Sequence, residues 1–347
     1  MDVRSQLACA SRRSSHRILA GFVLVGYLTA CASGPSRDGS ETVPAVYASA
    51  ETEPVRRRGD AADDPAILVS ASGNTVWIAG TDKQFGLRIY DLGGTELHAL
   101  ATGRLNNVDA TPLGDDRFLL AASNRTTISI DLYVADLTKN TIELAESLPL
   151  SFEEPYGLCM APDQDGFRVF VGDKTGQVDI WRVDRSMAGE RLKTLTFDSQ
   201  TEGCVFDITS DTLFVGEEVR GIWAVNMTTG ERRLLDEIGA GRLTADVEGL
   251  DIYADADRRL LLASSQGDNT FVVYDLVAGQ PLLKFRIDPS LETSLDGVSE
   301  TDGVAITTAS VPGYEQGILV VQDGRNTRPR ARQNFKIVDW REIDLLL

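Results

Sequence analysis

Apolar and polar residues alternate in short runs along most of the chain, and the runs come in sets. The stretch Thr244–Gln266 shows the unit most plainly. Two carboxylates, Asp246 and Glu248, precede an alternating segment around Leu250 and Ile252. The chain then turns at Asp255-Ala256-Asp257, and an apolar run, Leu260–Ala263, stops in Ser264-Ser265-Gln266. Alternation with period two predicts a half-buried strand, and a short continuous apolar run between turn residues predicts a strand buried on both faces. The same order recurs six times. Successive second strands lie roughly 43 to 58 residues apart, the length of one four-stranded propeller blade. No segment keeps an i, i+3, i+4 apolar stripe over three turns, so helix is nearly absent. The pattern predicts an all-β chain folded as a six-bladed β-propeller. The last set lacks a fourth strand, and Val46–Val55 is free to supply it, closing the ring by pairing the two chain ends.

The first thirty residues read differently. Arg12, Arg13 and Arg17 precede an apolar run from Ile18 to Leu28, shorter than the roughly 20 residues a membrane span needs. A basic start, a short apolar centre and small residues at its end make residues 1–30 a secretory signal. Leu28-Thr29-Ala30-Cys31 is similar to the lipobox of bacterial lipoproteins. That resemblance implies cleavage before Cys31, its acylation, and a lipid anchor to the cell envelope. Ala32, where Asp would retain the protein at the inner membrane, implies the outer membrane. Residues 31–50 are rich in Ser, Gly, Pro and Thr and read as a flexible tether, leaving 51–347 as the propeller domain.

Charge and residue counts narrow the chemistry. The chain has 34 basic and 52 acidic residues, and removing the signal leaves 30 and 51. So negative a domain repels nucleic acid and attracts cations, and it is expected to act as a monomer. Of two histidines only His98 follows the signal, on an outer strand where it is expected to be partly exposed and inert. A Ser-His-Asp or Cys-His mechanism cannot be assembled from it, and zinc sites built on several His or Cys are excluded by count. There is no GxxxxGK[ST] loop. Cys159 and Cys204 sit in apolar strands and are expected to be buried free thiols, although an exported pair can also form a disulfide. Any catalysis must therefore use oxygen ligands.

In a propeller the first strand of each blade lines the central channel. The residues entering it share a rim with the connection between the second and third strands. That rim collects Asp63, Asp64, Asp109, Glu202, Glu217, Glu218, Asp246, Glu248, Asp302 and Asp323, with Lys83, Arg125 and Lys174 among them. So many carboxylates repel one another unless cations neutralise them, and a set of hard oxygen ligands suits Ca²⁺.

Particular segments resemble the β-propeller phytases, the alkaline calcium-dependent family. They are GDAADDPAI (59–67), GRLNNVDA (103–110), ASNR (122–125), SQTEGC (199–204), EE followed by GIW (217–223), LTADVEGL (243–250), ASSQG (263–267), TDG (301–303), QDG with Asn326, and QNFKIV (333–338). The resemblance runs in order from Glu51 to about Glu342. It implies hydrolysis of phosphate monoesters from calcium phytate, with several bound Ca²⁺ and an adjacent site for a second phosphate. Position by position, Asp64, Asn107, Glu202, Asp246 and Glu248 match residues around the catalytic calciums, with Asp63, Glu218 and Gln266 beside them. Lys83, Arg125, Tyr156 and Lys174 match groups that contact substrate phosphates. Asp302 and Asn326, with the Pro65 and Val108 carbonyls, resemble calcium positions that stiffen the ring. The catalytic set implied is Glu202, Glu218, Asp246 and Glu248, with a calcium-bridged water as the attacking group. Leu68, Arg220 and Arg325 depart from the family pattern. Two other classes remain: a calcium propeller hydrolase of lactonase type, and a non-catalytic docking propeller on the envelope.

Overall fold

The computed structural model describes residues 43–347 other than Gly241. The signal segment 1–30, Cys31 and the tether as far as residue 42 lie outside the described residues. Strands form six sheets. Their first strands are Ala62–Val69, Leu105–Gly114, Pro155–Asp163, Thr201–Asp207, Leu250–Ala254 and Val304–Thr307. All six contribute to the wall of one central channel. The second strands are Val76–Asp82, Arg117–Asn124, Gly166–Asp173, Thr212–Glu217, Arg259–Ser265 and Ile318–Asp323.

Packing explains the two sequence patterns. Val76–Asp82 and Ile318–Asp323 are buried at every position because each second strand is sandwiched between neighbouring blades. The outer strand Thr141–Pro149 is mostly exposed on both faces, which is why its sequence is polar. Apolar clusters lie between blades rather than within them. Leu68 and Trp77 pack with Leu120 and Tyr133 across one junction, and Leu119 and Ile130 pack with Val169 and Val171 across the next. Burying each such side chain stabilises the ring by about 1.5–3 kcal/mol.

The closing blade uses both chain ends. Ala50–Glu51 pairs antiparallel with Asn334–Asp339 as the fourth strand of the sixth sheet. Strand structure begins earlier than that, at Ala45. Ala45–Tyr47 adds in parallel to the outer edge of the fifth sheet beside Gln280–Asp288, so residues read as tether are part of the fold. Val46 seals this edge against Phe285 and Trp340. Only one helix, Trp340–Asp344, has α geometry among the described residues, capped by the Asp339 side chain.

Cys159 and Cys204 are joined in a disulfide with Cα atoms 5.6 Å apart. The expectation of free thiols is therefore corrected. The two residues lie 45 positions apart on channel strands of adjacent blades, and their proximity exists only once the blades are side by side.

The channel strands approach so closely that some positions admit only glycine. A Cβ on Gly203 would lie 2.5 Å from the Glu248 carbonyl oxygen, and one on Gly303 would lie 2.5 Å from the Asp64 Cα. Both obstacles are next-blade backbone, which cannot swing aside. Gly303→Ala is therefore expected to destabilise by about 1–3 kcal/mol or more, read as a fall in the urea midpoint. Cys159→Ser with Cys204→Ser should lower the unfolding free energy by about 2–4 kcal/mol. A midpoint unchanged from the oxidised protein would show that the disulfide adds nothing.

Candidate active site

Bulges aim the side chains. Pairing between first and second strands skips the residues between Ala62 and Pro65, Leu105 and Val108, Pro155 and Leu158, and Thr201 and Cys204. The skipped residues are Asp63-Asp64, Asn106-Asn107, Tyr156-Gly157 and Glu202-Gly203. A bulge turns side chains out of the ladder and frees backbone N–H groups. Hydroxyls on the second strands accept some of them: Thr81 Oγ1 from Asp64 N at 2.9 Å, and Ser123 Oγ from Asn107 N at 3.1 Å. In the fifth blade Ser264 Oγ takes the Gly249 N–H at 2.8 Å, which fixes Glu248 just before its strand. Lys83, Arg125, Lys174, Glu218 and Gln266 each follow the end of a second strand. Both groups therefore share one rim.

Glu202, Glu218 and Glu248 bring carboxylate oxygens within 4.8 Å of one another, all on residues with less than a tenth of their surface exposed. Glu202 Oε1 accepts from Asn106 Nδ2 at 2.7 Å, while its Oε2 is buried with no partner. Gln200 Nε2 donates to Glu218. Burial raises the pKa of Glu202 well above the carboxylate range, and the charges of Glu248 and Asp63 push it the same way. Glu248 is pushed up to about 7, mainly by burial, with Glu218 and Asp63 adding to it. Burial likewise raises Glu218 and Asp246. Like charges crowded out of water hold protons unless a cation replaces them. An unpartnered oxygen, an all-oxygen donor set and close spacing fit a hard divalent ion such as Ca²⁺.

Asp64 Oδ2 accepts from Val108 N at 3.0 Å, and burial raises its pKa well above the usual range despite that bond. Asn107 Oδ1 accepts from Asn106 Nδ2 at 2.9 Å. Asp302 is bound by Gln266 Nε2 at 2.8 Å and by Lys83 Nζ at 3.0 Å. Lys83 also meets Asp60 at 2.7 Å and Asp63 at 2.9 Å. The Asp63 contact is ionic rather than directional, since both Asp63 oxygens are buried without a hydrogen-bond partner. Burial opposes the Lys83 charge, but Asp63, Asp302 and Glu202 together outweigh it and raise its pKa. Its ammonium is therefore permanent.

The other basic residues gather around one aromatic ring. Arg125 and Lys174 stand 5.6 and 4.7 Å from the centroid of Tyr156. Glu154 ties both down, with Arg125 Nε at 2.5 Å and Lys174 Nζ at 3.6 Å. Arg125 Nη1 donates to Asn106 Oδ1 at 3.1 Å, linking this group to Glu202. Burial, then Glu202, Asp63 and Glu248, raise the Tyr156 pKa, so its hydroxyl stays a donor.

Some residues expected on the rim lie elsewhere. Glu217 is buried and faces away from its neighbour Glu218, held by Ser199 Oγ and Trp223 Nε1 at 2.7 Å each. Glu217 is the last residue of its strand and Glu218 the first of the turn that follows, which separates the pair. Asp109 lies inside the channel, where its Oδ2 accepts from Met160 N at 2.7 Å. Asp323 caps Ser299 N at 3.2 Å and lies 3.6 Å from Lys336. Asn326, with Oδ1 buried and unpartnered, borders the same cavity as Glu248 and Asp302 and stands outside the glutamate cluster. Asp246, half-buried, stands beside that cluster and acts on Glu218 through its charge. His98 is half-buried against Trp77 and bonded to Asn140.

The sequence reading missed Asp60, Asn106, Glu154 and the channel carboxylate Asp251. The repeated pairing of a polar residue with glycine, at Tyr156-Gly157, Glu202-Gly203, Glu248-Gly249 and Asp302-Gly303, includes none of these four. It marks where a channel strand presses on its neighbour.

The chain is similar to known proteins in fold and in sequence. Regucalcin of Agrobacterium tumefaciens str. C58, described as a calcium-binding protein, is similar in fold, with a TM-score of 0.54 at 14% identity. The match covers 86% of this chain and 97% of that one. A 3-phytase of Bacillus subtilis (strain 168) is 34% identical over 323 residues, or 86% of this chain and 84% of its own length. The phytase family pattern matches residues 16–346. The chain belongs to the phytase family.

Proposed function

We propose that this phytase is calcium-dependent and hydrolyses phytate, myo-inositol hexakisphosphate, by direct attack of water on phosphorus without a covalent phosphoenzyme. The observation that carries the reading is the glutamate cluster, with its buried, unpartnered Glu202 oxygen and its raised pKa values. Glu202, Glu218 and Glu248, with Asp246 beside them, would hold calcium. Asp63, Asp64, Asn107, Gln266 and Asp302 complete the oxygen-rich surroundings. Bound calcium would supply positive charge for phosphate oxygens and acidify a bridging water.

The chain's own groups do the rest. Lys83 keeps its charge because three carboxylates surround it, and a phosphate entering the cavity competes with the exposed Asp60 for its ammonium. Arg125 and Lys174 both stand against the Tyr156 ring and share Glu154, so two cations would face an entering phosphate. Their fixed charges match the charge that develops on the equatorial oxygens at phosphorus. The Tyr156 hydroxyl donates into the same space. A lactonase acting on neutral esters has no use for this basic set, and a docking platform has no use for the buried acids. A lipid anchor at Cys31, an outer-membrane location and a monomeric state belong to the same proposal. Loss of acyl labelling in Cys31→Ala tests the anchor.

Phosphate release from phytate should stop with EGTA and return with added calcium. Undiminished release after chelation would end this reading. Glu202→Gln and Asp246→Asn should each lower kcat by about 100-fold or more while leaving the circular dichroism spectrum unchanged. Near-normal turnover by either would remove that residue from the site.

Proton competition gives a pH signature. Glu248 has a pKa raised from 4.5 to about 7 in the calcium-free fold. The calcium-free fold binds more protons than the unfolded chain across that interval. Its stability is therefore expected to fall as pH rises through about 7. Melting curves without calcium at pH 6 and pH 8 should show the lower Tm at pH 8, and calcium should narrow the gap. A higher Tm at pH 8 without calcium would contradict the proton-sharing cluster.

A further inference from the structure

Each second strand ends in a buried polar residue. Asp82, Asn124, Asp173, Glu217, Ser265 and Asp323 hold the last position of the six strands, and none has more than 2% of its surface exposed. The rim groups start at the next residue: Lys83, Arg125, Lys174, Glu218 and Gln266 follow directly, and Gly324 follows in the sixth blade. A polar side chain so deep in the ring is costly unless it is hydrogen-bonded.

In four blades it bonds the turn ahead. Asp82 Oδ1 accepts from Gln84 N at 3.0 Å, Asn124 Oδ1 from Thr126 N at 2.8 Å, Asp173 Oδ1 from Thr175 N at 2.8 Å and Asp323 Oδ1 from Arg325 N at 3.2 Å. Acceptor and donor lie two residues apart, so each side chain bridges the residue between them. The acceptors are themselves fixed. Arg88 grips Asp82 with Nε at 3.0 Å and Nη2 at 2.9 Å, and Asn124 Nδ2 donates to Asp131 Oδ2 at 2.6 Å. Asp173 also takes Gln177 N at 3.0 Å and Thr175 Oγ1 at 2.8 Å. Among the described residues, none of the three bonds the side chain of the cation that follows it. They act on the backbone from which that cation springs.

We infer that Asp82, Asn124 and Asp173 are positioning residues, each fixing the turn from which Lys83, Arg125 or Lys174 reaches a substrate phosphate. The inference rests on the proposed phytate hydrolysis and adds to it the residues that aim its cations. A long side chain on a loose turn must be ordered when the ligand binds, and that cost is subtracted from affinity. Lys174 depends on its turn most. Its side chain is 39% exposed and is held by the Tyr156 ring and by Glu154 at 3.6 Å, whereas Lys83 is buried among carboxylates.

The test uses the full chain with Asp173→Ala, Asp173→Asn, Lys174→Ala and the double variant Asp173→Ala/Lys174→Ala. Asp173→Ala should raise KM for calcium phytate about tenfold with kcat little changed. Asparagine keeps an acceptor oxygen at the same place, so Asp173→Asn should stay near the wild type. In the Lys174→Ala background Asp173→Ala should add little, because the residue it aims is gone. A role in folding alone would lower Tm and leave KM unchanged, which would overturn the inference. Fully additive effects, or an asparagine variant as impaired as the alanine one, would overturn it too. Asp173→Gly, which also lacks the acceptor, replaces the alanine variant if that chain does not fold. Should the wild type release no phosphate from phytate, the parent reading fails by itself. Calorimetric titration with phytate and calcium then decides the positioning role. Weaker binding by Asp173→Ala than by Asp173→Asn supports it, and equal affinities, or no binding by the wild type, overturn it.

Discussion

The close approach of the channel strands is the constraint on which the site depends. Where the Glu202 segment passes the Glu248 segment, a glycine replaces any side chain because the neighbouring carbonyl leaves no room. That spacing brings two glutamates of the fourth blade, Glu202 and Glu218, together with Glu248 of the fifth. The fold thereby holds like charges together at a cost in protonation, and the raised pKa values record that cost. A cation relieves it. On the proposed reading, stability and ion binding would in this sense be one property of the ring.

Bulges make the arrangement possible, and hydroxyls satisfy some of the backbone groups that they free. The first strands lose their pairing just where Asp63-Asp64, Asn106-Asn107, Tyr156 and Glu202 turn toward the rim. Thr81 and Ser123 then take the freed N–H groups. Within the channel, Asp109 and Asp251 perform a related task, each bridging to an N–H of the following blade at Met160 and Ile306. Burial raises both, to about 6 and about 7. These carboxylates join blades and take no part in the rim.

The basic groups suit the proposed handling of an anionic substrate by an acidic protein. Lys83 is saturated by carboxylates, and Arg125 and Lys174 share Glu154 around the Tyr156 ring. Each is held in place before any ligand arrives, so little reorganisation would be needed for a phosphate to enter on the proposed reading. Net charge sets long-range repulsion, but the local arrangement decides what can bind.

The alternation of apolar runs and their repeat determined the strands, the number of blades and the rim on which the chemistry would fall. Those features arise from local periodicity and turn residues, which a single sequence carries in full. The acids at the starts of Leu250–Ala254 and Val304–Thr307 were legible for the same reason. Tertiary structure decided the rest. Glu217 and Glu218 are adjacent in sequence, yet only Glu218, in the turn after the strand, reaches the cluster. Cys159 and Cys204 look alike as buried apolar residues until two blades place their Cα atoms 5.6 Å apart. Asp60, Asn106 and Glu154 acquire roles only through partners far along the chain. Separations of that kind leave no periodic trace in the sequence, because they are set by the packing of whole blades against each other.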